Sequence, residues 1–323
     1  MTKELLLCFL AGVVLPLALA AVFQELPPAA QPEIPPISTA QPAPADPDRQ
    51  ISLAVKGNSG STETMTLQDY LVGVVLAEMP AGFEPEALKA QAVVARTYTR
   101  KRMEGSKHDD ADICTDPGCC QGYKSPDAYL SAGGSESAVE KVRLAVLETN
   151  GLVLRYDGQL IDATYFSCSG GTTEDAVAVW GQDVPYLQSV DSPGEEDAPP
   201  YTDTVRFSPG ELSERLGQAA RGEPGGWFGA VTYTEGGGVD TMVILGKTFT
   251  GTQLRSKLGL RSTAFSVSVE NGTIVITTRG FGHRVGMSQY GAQAMAEAGQ
   301  DFERILSHYY TGAELVQEEY YGN

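Results

Sequence analysis

Positive charge is scarce in this chain. Its 23 Lys and Arg stand against 41 Asp and Glu in 323 residues, a formal net charge of −18. A surface that acidic excludes general binding to nucleic acid or anionic lipid, both of which need a basic face. Regular alternation of strand and helix signals is also missing, which argues against a parallel α/β sheet, and no repeat stands out beyond generic hairpins. Cysteine is sparse, with five in the chain. Cys8 falls in an apolar run, leaving Cys114, Cys119, Cys120 and Cys168. Adjacent Cys119 and Cys120 cannot pair with each other without strain.

What is present begins with that run. Leu5 to Phe23 is apolar and interrupted only by Gly12 and Pro16. As a helix it would be roughly 28 Å long, about one hydrocarbon core. Its length favours an uncleaved, single-pass membrane anchor over residues 1–25, although Ala18-Leu19-Ala20 also offers a signal-peptide cleavage site. Either outcome predicts that the rest of the chain lies outside the cytoplasm. Residues 26–50 follow as a linker containing Pro27, Pro28, Pro32, Pro35, Pro36, Pro42, Pro44 and Pro47. Such a stretch makes an extended spacer of about 3 Å per residue rather than a core. The predicted organisation is anchor, tether and a large domain over residues 51–318, with room for two lobes.

Within that domain the signals are mixed. Ile51 to Val55 alternates as a half-buried strand. Thr66 and Asp69 resemble a capping box opening a helix, on which Leu71, Val74 and Val75 form an apolar stripe that Pro80 ends. Pro85 suits the first turn of a second helix reaching about Met103, with Ala87, Ala90, Val94 and Tyr98 on one face. Residues 128–149 read as a further helix. Leu152 to Phe166, turning at Asp157-Gly158, and Phe265 to Thr278, turning at Asn271-Gly272, read as hairpins. Residues 200–260 give a short helix near Glu211 to Leu216 among glycine-rich connections, and helices over 288–298 and 301–310 end the domain. Helices with antiparallel hairpins predict an α+β fold.

Glu78 is the sharpest candidate for chemistry. It continues the stripe of Leu71, Val74 and Val75 in the last turn of its helix. Desolvation against an apolar face raises a carboxyl pKa, and the negative end of the helix dipole pushes the same way. A carboxyl group protonated near neutral pH is what a glycosidic leaving group requires. The competing reading is a Glu that rolls to the stripe's edge and is solvated.

His108, Cys114 and Cys120 are spaced six residues apart twice, with Cys119 able to replace Cys120. Imidazole and thiolates are zinc donors, and three of them leave a place for a fourth ligand or water. A disulfide from Cys168 to one of the cluster, or free thiols, are the alternatives. His283, flanked by glycine at Gly282, could donate to a sugar or act as a base, or be a structural histidine held by backbone carbonyls. Tyr165, Trp180 and Tyr290 could stack on sugar faces or belong to the core.

The residues also resemble a known family. Asp69-Tyr-Leu-Val-Gly-Val-Val-Leu-Ala-Glu78-Met-Pro80, Glu86-Ala-Leu-Lys-Ala-Gln-Ala-Val-Val-Ala-Arg-Thr-Tyr98, Tyr165-Phe-Ser-Cys-Ser-Gly-Gly-Thr-Thr-Glu174, Trp180-Gly with Val184-Pro-Tyr-Leu187, Gly286-Met-Ser-Gln-Tyr-Gly-Ala292 and His308-Tyr-Tyr310 are similar to the stage II sporulation protein D family. These blocks span nearly the whole domain. The resemblance implies a lytic transglycosylase that cuts peptidoglycan glycan strands stripped of stem peptides during forespore engulfment. It also implies a peptidoglycan amidase and a multi-pass membrane protein as partners. The glutamate before Met-Pro, Glu78, is the implied catalytic acid. Zinc bound through one His and two Cys in some members implies His108, Cys114 and Cys120, in a structural role. Arg96, Tyr165, Ser167, Ser169, His283 and Gln289 are the expected sugar contacts, with Glu174 and Asp175 as candidate helpers. Members commonly carry Gly-His-Gly-Val-Gly where this chain has Gly282-His283-Arg284-Val285-Gly286, which puts the backbone at Arg284 in question. Related domains act as non-catalytic amidase enhancers, a rival reading, and a zinc hydrolase is a third.

Overall fold

The alternation in Ile51 to Val55 becomes the strand Ser52–Lys56, paired antiparallel with Thr62–Thr66 and parallel with Ile113–Cys114. The computed structural model describes residues 46–318, an α+β domain built from short antiparallel sheets and helices. The predicted anchor over 1–25 lies outside the described residues. Among those described, no helix is long and apolar enough to cross a membrane.

Thr66 caps the helix Leu67–Glu78 by accepting from the Asp69 amide at 3.1 Å, and the Asp69 carboxylate accepts from the Thr66 hydroxyl at 2.7 Å. Leu71, Val74 and Val75 are fully buried on it. The helix Pro85–Glu104 is the central rod. Alanines at 87, 90, 92 and 95 are fully buried, and their small side chains let neighbouring helices approach closely. Leu67–Glu78, Glu136–Glu148, Gln289–Glu297 and Phe302–Tyr309 all pack on it. This is the first of two hydrophobic cores.

The second core lies between residues 202 and 279. Thr202–Phe207, Thr273–Arg279 and Phe265–Glu270 form one antiparallel sheet, and Phe228–Tyr233, Val239–Ile244 and Lys247–Thr250 form another. With the helices Pro209–Leu216 and Gly251–Leu258 they enclose Leu212, Ile244, Phe249, Leu254, Ile274 and Ile276. These residues make a hydrophobic cluster separate from the first.

Several sequence-based expectations are corrected. The folded part begins before residue 51: Pro47–Gln50 is a short helix capped by Asp46, and Asp48 is buried, so the linker is shorter than 26–50. The single helix expected over 128–149 is two, Pro126–Ser131 and Glu136–Glu148. Gly133 turns into the left-handed region (φ +94°), and Ser125 and Ser135 each cap a new start. The hairpin from Leu152 is also shorter than expected. Within the hairpin Leu152–Tyr156 pairs only with Gln159–Leu160, its other edge taking Glu314–Gln317, whereas Tyr165–Phe166 leaves to pair in parallel with Met287–Ser288. That departure carries Tyr165 towards Glu78.

Candidate functional site

Glu78 ends its helix half-buried, on the wall of a cleft of about 680 Å³. It is the one carboxylate among the residues lining that cleft, whose walls carry Tyr98, Tyr165, Phe166, Trp180 and Phe281. Burial raises the Glu78 carboxyl above its ordinary range. A hydrogen bond from the Gly122 amide and the facing side chains of Tyr165 and Gln289 offset part of that rise. The Gly122 N–H donates to Oε1 at 2.6 Å. A Cβ at Gly122 would come within 2.8 Å of the same oxygen, so only glycine lets the backbone approach this closely.

Gly122 closes the cysteine loop. Ligand atoms of His108, Cys114, Cys119 and Cys120 all lie within 4.8 Å of one another. The Cys119 and Cys120 sulfurs lie 3.7 and 3.6 Å from His108 Nε2, and 3.8 Å from each other. A tetrahedron with zinc–sulfur bonds of about 2.3 Å has edges of about 3.8 Å, so the donor set fits a zinc ion in both chemistry and size. Cys119 joins the set as a fourth donor rather than standing in for Cys120. All four cysteines described are free thiols. Burial, with Cys114 beside it, pushes the Cys120 thiol up to about 12. The disulfide alternative is excluded for Cys168, which is fully buried and donates to Glu195 at 2.9 Å.

Between the loop and Glu78 sits Gln121, also buried. Its amide donates to Thr99 Oγ1 at 3.0 Å, and its Oε1 accepts from the Tyr165 hydroxyl at 3.3 Å. Burial and the Glu78 carboxylate raise Tyr165, which stays a neutral phenol. Lys107 fastens the loop from the cleft side, donating to the Cys119 carbonyl at 2.6 Å.

His283 lines the cleft with its Nδ1 accepting from the Val285 amide at 3.1 Å, an arrangement that leaves the hydrogen on Nε2. Burial, and then the charge of Arg255, push its imidazole down to about 4, so it is neutral at physiological pH. The ring packs edge-on to Phe166 and tilted against Trp180, with centroids 5.6 and 5.4 Å apart. It braces the aromatic wall and is no proton donor of the imidazolium kind.

The cleft therefore gathers Glu78, Tyr165, Ser167, His283, Gln289, Cys119 and Cys120. It does not gather Arg96, which is fully buried with its guanidinium on Asp48 (Nε–Oδ2 2.8 Å) and on the Val146 and Leu152 carbonyls. Ser169 is likewise fully buried and donates to Glu195 through both its amide and its hydroxyl. Both are corrected from sugar contacts to internal braces. The candidate helpers are elsewhere too: Asp175 accepts from the Ser189 amide, and Glu174 pairs with Arg284 in the interior. Tyr290 packs on Phe83.

Arg284 takes the left-handed conformation (φ +67°), which disfavours a side chain. Its guanidinium donates to the carbonyls of Ser169, Thr172 and Gly236, each at 2.7 Å, and to Glu174 at 3.1 Å. Those four bonds offset the backbone strain where glycine would have none. Gly122, Gln121, Lys107 and Phe281 were not singled out from the sequence. Only the nearness of Gln121 and Gly122 to the cysteine pair could have flagged them.

A family model described as Stage II sporulation protein matches residues 55–156. The chain is 42% identical over 265 residues to stage II sporulation protein D of Bacillus amyloliquefaciens, covering 80% of this chain and 76% of that protein. It is 41% identical over 269 residues to stage II sporulation protein D of Bacillus subtilis, covering 81% and 78%. A 30% identity over 305 residues relates it to the amidase enhancer of Bacillus subtilis, covering 76% of this chain but 40% of that protein. The chain belongs to the stage II sporulation protein D family.

Proposed function

We propose that the protein is a lytic transglycosylase that cuts glycan strands of peptidoglycan, stripped of stem peptides, during sporulation. The observation that carries the reading is a single half-buried carboxyl group, raised above its ordinary range, in an aromatic-walled cleft with no second carboxylate in its lining. A hydrolase of the usual kind uses two carboxylates, one for the leaving group and one for water or a covalent intermediate. Transglycosylation needs one. Glu78 donates its proton to the oxygen between muramic acid and glucosamine. The muramic 6-hydroxyl then attacks C1 of its own ring as the C1–O bond breaks. The Glu78 carboxylate takes the hydroxyl proton, leaving a 1,6-anhydro end and a free glucosamine 4-hydroxyl with no water consumed. Tyr165 and Gln289 flank the carboxyl, and Ser167, Trp180 and His283 offer hydroxyl, stacking and N–H contacts to the sugars.

His108, Cys114, Cys119 and Cys120 would hold zinc, which in a closed four-donor site supplies a cross-link and no open position for chemistry. Those ligands would fix the loop that aims the Gly122 N–H at Glu78. The apolar N-terminal run would tether the domain on the outer side of the cell membrane, within reach of a peptidoglycan amidase and a multi-pass membrane partner.

The similarity to an amidase enhancer favours a second reading, in which the cleft binds glycan and activates a partner amidase. Incubating the purified domain with stem-free strands separates the two. Mass spectrometry should find anhydromuramic ends with the wild type, and about 10²- to 10⁴-fold fewer with Glu78→Gln, the usual contribution of a general acid. Strand binding without any cleavage by the wild type would favour the enhancer. Reducing ends that carry oxygen from water would point to a hydrolase.

A further inference from the structure

Gly73 is out of place in its helix. It stands in the middle of Leu67–Glu78, between Val72 and Val74, where glycine is among the poorest helix formers. Its backbone is helical, so no left-handed conformation explains the choice. Close approach does. A Cβ at residue 73 would meet Cε2, Cδ2 and Cζ of the Tyr123 ring, the last two at 2.6 and 2.8 Å. The ring lies in that notch and stacks on the buried Tyr70, with centroids 5.7 Å apart and planes 6° from parallel. Beside it the Lys124 amide donates to the Gly73 carbonyl at 3.0 Å. Ring and amide fasten residues 123 and 124 to one point on the helix.

Gly122 comes immediately before that fastening, and Glu78 lies further along the same helix. From residue 73 to residue 78 a helix rises about 7.5 Å, and two residues of extended chain span about 7 Å. A chain held at Gly73 through its Lys124 amide therefore brings the Gly122 amide level with Glu78, where it donates to Oε1 at 2.6 Å. The metal donors Cys119 and Cys120 hold the loop on the other side of Gly122. A hollow of about 320 Å³ opens beside the ring, lined by Val72, Tyr123, Pro126 and Leu147. A displaced ring has space there, so filling the notch moves the loop and spares the helix.

We propose that Gly73 and Tyr123 are positioning residues for the acid, a notch and a clamp that set the reach of the Gly122 N–H to the Glu78 carboxylate. The effect on cleavage rests on the reading of Glu78 as the acid. Once Glu78 has given up its proton, the Gly122 N–H stabilises the carboxylate that remains. A loop shifted away from the helix leaves that charge with one donor fewer.

The test reads the Gly122 amide proton directly. Gln121-Gly122 is the one Gln-Gly pair in the chain, so carbonyl-¹³C glutamine with ¹⁵N glycine marks that amide alone. Glu78→Gln turns its acceptor from a carboxylate into a neutral amide, and should move the proton upfield in the otherwise native protein. With Gly73→Ala in place the proton should already lie upfield, and Glu78→Gln should barely move it. Cleavage by Gly73→Ala should fall about ten- to a hundredfold, the worth of a hydrogen bond to a charged group, while the Tm changes little. Tyr123→Leu added to Gly73→Ala makes room for the methyl group and should restore part of both readouts. Tyr123→Leu alone should weaken the proton's response, and it carries the test if Gly73→Ala does not fold. A Gly122 proton that responds to Glu78→Gln equally in all these backgrounds overturns the notch. So does a double variant whose cleavage falls by the product of the two single losses. Anhydro ends absent from the wild type overturn the enzymatic reading instead, and the notch then stands or falls on the proton alone.

Discussion

The proposed chemistry depends on a carboxyl group shielded from water. Glu78 owes its raised pKa first to burial, and the Gly122 amide limits the rise rather than causing it. Two pH effects follow, both with a definite sign. Cleavage that needs the protonated acid should fall as pH rises through the raised pKa, on a limb that is absent from the residual activity of Glu78→Gln. Stability moves the same way. A group whose folded pKa lies above its unfolded value contributes stability that is present below the unfolded value and is lost as pH climbs through the folded one. Glu78→Gln should therefore raise the Tm on the alkaline side of that range and change it little on the acid side, because a glutamine can still accept from Gly122. Thermal scans across pH check this, and a Tm difference independent of pH would sink it. At this scale much was legible. The i, i+3, i+4, i+7 spacing from Leu71 put Glu78 on the buried face, and the nearby helix end pointed the same way. The partners were not legible. Gln121 and Gly122 act through a buried amide and a backbone N–H, which leave no periodic mark, and nothing in the pattern around Arg96, expected at the sugar, announces its buried counter-ion Asp48.

At the scale of elements, the cysteine loop is the piece whose order the acid depends on. It is short of regular structure, with Ile113–Cys114 its only strand, and its four candidate metal donors include the three that the sequence spacing suggested. The six-residue intervals singled out His108, Cys114 and Cys120, but spacing alone could not tell a fourth ligand from a bystander. Only the fold brings the Cys119 sulfur to 3.7 Å from His108 Nε2. Metal analysis of the purified protein should find one zinc per chain. Chelation, or Cys114→Ser, should loosen the loop, withdraw the Gly122 N–H from Glu78 and reduce cleavage. A loss of even about 2 kcal/mol of stabilisation would lower the Tm by roughly 4–8 °C. A chelated protein that keeps both its Tm and its cleavage rate would remove the metal from the account. The same limit of local patterns explains the other element-level corrections. Glycines and capping serines split the helix expected over 128–149, and the strand expected up to Phe166 was redirected by pairing with Met287–Ser288, a partner more than a hundred residues away.

The described domain holds two hydrophobic cores joined near the cleft, and the join is the part the sequence concealed most. Strands of four to seven residues separated by glycine turns give weak periodicity, and Thr202–Phe207 finds its partner only at Thr273–Arg279. Arg284, read from sequence as a departure at a glycine position, is the pin. It holds the carbonyls of Ser169 and Thr172 on one side and Gly236 on the other, while its partner Glu174 accepts from the Thr234 hydroxyl at 2.9 Å and the Gly238 amide at 3.1 Å. Removing one member of a buried pair leaves the other uncompensated, so Arg284→Met should cost about 3–5 kcal/mol, whereas removing both charges should cost less than the sum of the two single changes. The cores offer separate reporters, since the chain has two tryptophans: Trp227 is buried in the second core and Trp180 lines the cleft. In a Trp180→Phe background, fluorescence follows the second core alone while far-ultraviolet circular dichroism follows the whole. The two urea transitions should coincide when Arg284 is present. With Arg284→Met the fluorescence transition should move to lower urea than the dichroism transition, and Glu174→Gln added to it should bring the two back towards each other. Coincident transitions in all three proteins, with single-site effects that simply add, would mean that the cores are held together by something other than this pair.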